Sequence, residues 1–217
     1  MSKATEEFRV GPGPLPPLGV LHRFALVFSG VLSPPMMGAF ALVVIGGAST
    51  WPASSGLEWA IVSAMGCGAP PLVYVCLTGR RAHSLTVSRL ALHRLGRGQR
   101  ITAAIITLAA LAADLVLMIK FHGPGQLVKF LVFSAGGVVT AAALTRIWKI
   151  SVHTGVMVSV LGLLSATYGF WAIFGVPLAC VMGWARVRVG AHTPMEVACG
   201  LLFGLAWVFL FVRLGSW

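Results

Sequence analysis

Apolar residues in this chain are gathered into long runs near 24–47, 57–78, 101–120, 127–146, 154–170, 172–185 and 194–214, with short polar gaps between them. A helix needs roughly 18 to 20 apolar residues to cross a bilayer, and several of these runs reach that length. The pattern predicts an all-α fold, a polytopic membrane helical bundle of about six or seven transmembrane helices. Pro34 and Pro35 in "SPPMMG" predict a kink or break in the first span. The runs at 154–170 and 172–185 are short. Two helices of about 15 residues rise only about 22 Å each, against a hydrocarbon core of about 30 Å. They therefore predict a sunken hairpin whose open end lies below one membrane surface, a suitable depth for a lipid headgroup. "GLLFG" (200–204) in the last span is a G-xxx-G pattern, which lets two helices approach closely.

Composition supports this architecture. Hydrophobic residues make up 58% of the chain and charged residues 10%, against about 25% charged in an ordinary soluble domain. The mean hydropathy is +0.91. A polar, proline-rich N-terminal tail (1–20) precedes a single membrane-embedded domain (21–217). The tail has no apolar core of the signal-peptide kind, so the first span is expected to act as the insertion signal. Cys67, Cys76, Cys180 and Cys199 lie within or beside apolar runs and form no CxxC pair, which argues against a zinc site or a disulfide framework.

The formal net charge is +11, from 16 Lys and Arg against five acids. In a soluble protein that excess would point to nucleic acid. Here the cations sit in the gaps between spans, so anionic membrane lipids and a phosphate-bearing substrate are the expected partners, not nucleic acid. The gap at 83–100 places Leu85, Leu92 and Leu95 near one face among arginines. It suits either an interfacial helix on anionic lipid, loosening at Gly96 and Gly98 before Arg100, or a solvated basic loop. Counting spans places the tail and the gaps at 79–100, 147–153 and 186–193 on one side. That side carries thirteen Lys and Arg, and the other carries three, Lys120, Lys129 and Arg213. The imbalance predicts a multi-pass protein of the cell membrane with these gaps in the cytoplasm. The same side stays the richer in cations when the seven that could instead serve a phosphate site are set aside.

Three polar clusters share the cation-rich side: Arg94 to Arg100, Lys149 to His153, and Arg186 to Glu196. Histidine titrates near neutral pH and can act as nucleophile or general acid. Arginine offers a rigid fork of donors matched to phosphate oxygens. Two histidines among several cations and almost no carboxylates suit metal-free phosphoryl transfer better than metal binding. No metal and no cofactor is expected.

The spacing of Arg186, His192 and Glu196 resembles the third signature of the phosphatidic acid phosphatase type 2 superfamily, S-R-x5-H-x3-D. Ala185 stands at the serine position and Glu196 at the aspartate position. "ISVH" (150–153) is similar to the second signature, P-S-G-H, and keeps Ser151 and His153. "HRLGRGQRI" (93–101) offers Arg100 for the first signature, K-x6-R-P, with His93 and Ile101 at the lysine and proline positions and Arg94 or Arg97 nearby. The likeness covers roughly residues 80 to 215. It implies a metal-independent phosphatase acting on phosphatidate, a polyprenyl phosphate or diphosphate, or a related lipid. By that resemblance His192 attacks phosphorus and forms a phosphohistidine, Glu196 orients it, and His153 protonates the leaving group. Arg186, Arg100, Arg94, Ser151 and Lys149 are then the phosphate-binding candidates.

Other readings of the same residues stand beside these. Thr193, Pro194 and Glu196 also spell a capping box opening the last span. Arg188 reads as an interfacial anchor, and Asp114, inside the third span, as a hydrogen-bonding residue of the bundle. Trp51, Trp59, Trp171 and Trp217 fall where belt residues would. A lipid phosphotransferase, or a non-catalytic lipid-phosphate-binding protein, would use much of the same site.

Overall fold

The computed structural model describes residues 19–49, 54–80, 97–169 and 172–214. The expectations for the tail before residue 19, the loop at 83–96 with Arg94, and Trp51, Trp171 and Trp217 lie outside them. Among the described residues eight helices run in order: α1 (Val20–Val31), α2 (Pro34–Ser49), α3 (Ser54–Arg80), α4 (Arg97–Lys120), α5 (Gly125–Ile147), α6 (Val152–Tyr168), α7 (Ala172–Arg188) and α8 (Pro194–Leu214). The same residues contain no strand. The chain is an all-α membrane helical bundle.

Among the described residues four segments are long and apolar enough to span a bilayer: Gly56–Thr78, Gly98–Lys120, Gly125–Ile147 and Pro194–Leu214. The helices α1 and α2 reach that length and apolarity only as a pair, bent by 53° at the break, as a broken span or a re-entrant loop is. Pro34 and Pro35 explain the break. Proline disfavours helical geometry in the residue before it, yet in the first turn of a helix its missing N–H is no loss. So α1 ends at Val31 and α2 restarts on the prolines. The hydrogen bond from Met37 N to the Ser33 carbonyl, 2.9 Å, closes the first turn of α2.

The short hairpin is α6 and α7, each 17 residues long. α6 packs against α2, α7 and α8, and nine of its residues, His153 to Leu164, are buried. Its brevity is tolerated because neighbouring helices, rather than lipid, cover it. Gly169, at φ 72°, closes its C-terminus.

The G-xxx-G pattern is where α8 meets α6. A methyl group on Gly200 would collide with Thr154 Oγ1 and lie 2.5 Å from the Ser151 carbonyl. One on Gly204 would lie 2.6 Å from the Gly155 carbonyl. Neither glycine can be replaced without separating the helices.

Asp114 on α4 is buried and accepts hydrogen bonds from two α3 side chains, Ser63 Oγ at 3.1 Å and Cys67 Sγ at 3.3 Å. A carboxyl group in a bundle is costly unless donors meet it, and here both oxygens are met. Its role is to tie α3 to α4. Trp59 is partly buried against the core.

Candidate functional site

Two local devices build the segment after α7. The first is a helix stop. Gly190, at φ 69°, follows α7, and Gly190 N donates to the Val187 carbonyl at 3.0 Å while Ala191 N donates to the Arg186 carbonyl at 3.1 Å. This pair of bonds is a Schellman motif, and it needs a residue with positive φ at the position Gly190 fills. His192 N adds a third bond to the same Arg186 carbonyl, at 3.3 Å. The backbone therefore fixes His192 relative to Arg186.

The second device is a helix start. Glu196 N donates to Thr193 Oγ1 at 3.3 Å, and Thr193 N donates to Glu196 Oε2 at 3.2 Å. Both arms of the predicted capping box form. α8 is then joined to the start of α6 by a hydrogen bond from Ser151 N to the Glu196 carbonyl, 3.0 Å.

Glu196 Oε2 has more partners than the cap. His192 Nδ1 lies 2.8 Å from it and Lys149 Nζ lies 3.2 Å from it. Lys149 also donates to the Ala191 carbonyl at 3.3 Å. A carboxylate oxygen only accepts, so Nδ1 of His192 carries the hydrogen and Nε2 keeps its lone pair. The His192 side chain is 10% exposed and that of Glu196 15%. Burial pushes the His192 pKa below its ordinary value, because the low-dielectric surroundings penalise the charged ring. The hydrogen bond and charge of Glu196 act against this, and the cations Arg186 and Lys149 add to it. The balance favours a neutral imidazole at pH 7.

Arg186 lies in the last turn of α7 and is 2% exposed. Among the described residues no carboxylate reaches it, and its Nε has no hydrogen-bond partner. A guanidinium taken out of water without an acceptor is costly. Ser151, fully buried ahead of α6, likewise has an Oγ without a partner. Two buried donor groups without acceptors beside a histidine suit an oxygen-rich anion. His153 is buried in the first turn of α6, two residues after Ser151.

The structure thus gathers Lys149, Ser151, Arg186, His192 and Glu196 at one end of α6, α7 and α8, with His153 beside them. It does not join Arg100 to this group. α4 begins at Arg97 and runs helically through Gly98, so the expected loosening does not persist to Arg100. The side chain of Arg100 is exposed, and α4 packs on α3 and α5 rather than on α6 to α8. Arg188 is exposed, as an interfacial anchor would be. Among the described residues no three His, Cys, Asp or Glu side chains converge as a ligand set for a metal ion.

Sequence reasoning missed the Schellman turn and the docking of Lys149 on Glu196. The first had a local signal, a glycine just past the basic end of a helix. The second joins residues 47 positions apart and had none. No family model, curated protein or solved structure matches the chain.

Proposed function

We propose that the protein is an integral-membrane phosphatase of lipid phosphates that works through a phosphohistidine on His192. The observation that carries this reading is the His192–Glu196 pair, with Nδ1 held at 2.8 Å and Nε2 left as a base, beside the buried Arg186. In the reaction, His192 Nε2 attacks phosphorus and the bond from phosphorus to the lipid oxygen breaks. The resemblance of "ISVH" to a phosphatase signature assigns His153 the proton delivered to that oxygen. Water then cleaves the N–P bond, releasing phosphate and restoring the imidazole. Glu196 stabilises the positive ring formed between the two steps. Arg186 and the Ser151 hydroxyl hold phosphoryl oxygens as charge shifts onto them.

The shortness of two helices supports the lipid class. The candidate site lies at the end of a hairpin of two 17-residue helices, each rising about 25 Å, short of a membrane core of about 30 Å. A headgroup there keeps its tail in the bilayer, which favours phosphatidate or a polyprenyl phosphate over a soluble ester. The cation excess on this side favours a site facing the cytoplasm of a cell-membrane protein.

The test is phosphate release by purified protein from a panel of lipid phosphates with EDTA present. The wild type should hydrolyse at least one of them. His192→Ala should abolish release, and His153→Ala should reduce it by about 10²–10⁴-fold, the usual contribution of a general acid. Activity that persists undiminished in His192→Ala would rule the mechanism out. Tight lipid-phosphate binding without turnover would favour a non-catalytic binding protein.

A further inference from the structure

Lys149 occupies an unusual place. Its ammonium rests on the same Glu196 oxygen that holds His192, and on the Ala191 carbonyl next to His192 in the chain. Yet its side chain is 52% exposed. An ammonium on a flexible four-carbon stem, half in water, is free to exchange partners, unlike the buried guanidinium of Arg186. The contact also has a chemical cost. A cation on Glu196 Oε2 offsets the negative charge that would otherwise stabilise a positively charged His192.

We propose that Lys149 is a two-position cation, docked on Glu196 and the Ala191 carbonyl in one state and on a phosphoryl oxygen in the other. The inference rests on the phosphate-site reading above. Moving from carboxylate to phosphate does two things at once. It adds a charge-assisted hydrogen bond to the bound anion, and it releases Glu196 to act on His192 alone. Anion binding is thereby coupled to activation of the histidine. Lys149 also supplies an ammonium to a group of residues that Arg100 does not join.

This coupling predicts that Glu196 competes with the phosphate for Lys149. Inorganic phosphate is a direct probe, titrated into full-length protein in detergent by calorimetry. Lys149→Met should weaken phosphate binding by about tenfold or more, the worth of a hydrogen bond to a charged group. Glu196→Gln should tighten binding, since the competitor is gone. Glutamine still serves the capping box, so α8 keeps its start. In the double variant the gain from Glu196→Gln should vanish, because the residue being competed for is absent. Among the described residues the charged groups facing His192 are Glu196, Arg186 and Lys149. Removing Lys149 should therefore raise the His192 titration midpoint measured by NMR, since that cation lowers it.

An equal gain from Glu196→Gln with and without Lys149 would overturn the exchange, because a plain field effect needs no moving lysine. Phosphate binding lost in Arg186→Gln but unchanged in Lys149→Met would overturn the Lys149 assignment and leave the phosphate site standing. If no phosphate binds to the wild type, both readings fall.

Discussion

Gly190 joins two chemical groups whose side chains differ entirely. Its positive φ closes the Schellman turn, and three backbone N–H groups, those of Gly190, Ala191 and His192, donate to the Val187 and Arg186 carbonyls at the end of α7. The five-residue gap between Arg186 and His192 is therefore the length of a defined turn, with the second residue of the motif held where the first can act beside it. An L-residue in this conformation pays about 1–2 kcal/mol. A Cβ at Gly190 meets nothing within 4 Å, so Gly190→Ala isolates the backbone cost from any clash. We expect Gly190→Ala to lower the melting temperature in detergent modestly. Phosphate affinity should fall as well, because the turn that positions His192 is loosened. Unchanged stability and affinity would show that the turn tolerates other conformations and does not set the site.

At the scale of elements, the close contact of α6 with α8 brings the two halves of the site together. Ser151 and His153 stand at the start of α6, and Glu196 stands at the start of α8. The glycines at 200 and 204 let those starts meet, as Ser151 N on the Glu196 carbonyl shows. Gly200→Ala should cost about 1–3 kcal/mol, the usual penalty for overpacking, and should reduce activity further than its stability loss explains. Gly38→Ala on α2 is the control. Nothing lies within 4 Å of a methyl group there, and alanine is the better helix former, so thermal unfolding should be unchanged or slightly raised. Equal effects of the two changes would remove the close approach as a cause. The G-xxx-G pattern was legible in the sequence, but its partner was not. In water a helix shows its packing face by its polar back. In lipid both faces are apolar, so nothing in "VHTGVMVSVLGLLSATY" announces that α6 is buried on nearly all sides.

For the whole molecule, the spans were legible for the same reason that their neighbours were not. A lipid-facing surface demands apolar residues over about 30 Å, and the run boundaries fall close to the helix ends. The Pro34–Pro35 break was legible because proline acts through its own backbone. The capping box was legible because it is local. Convergence of Lys149 on Glu196 is a property of the folded bundle, and the distance of Arg100 from that group follows from α4 packing on α3 and α5. Orientation is the remaining property of the whole chain, and charge predicts it. The α4–α5 turn, at the far end from the candidate site, is flanked by Lys120 and Lys129, and α8 brings Arg213 to the same end. Among the described residues Arg23, Arg80, Arg97, Arg100, Arg146, Lys149, Arg186 and Arg188 belong to the opposite end, so the positive-inside rule predicts a site that faces the cytoplasm. A membrane-impermeant maleimide on intact cells decides the matter. Gln126→Cys, exposed in the first turn of α5, should be labelled from outside. Ser84→Cys, in the segment between α3 and α4, should be labelled only after the membrane is permeabilised. The reverse pattern would put the candidate site outside the cell. Its substrate would then have to be presented on the outer leaflet, and the basic residues would owe their asymmetry to the site's demand for cations rather than to insertion.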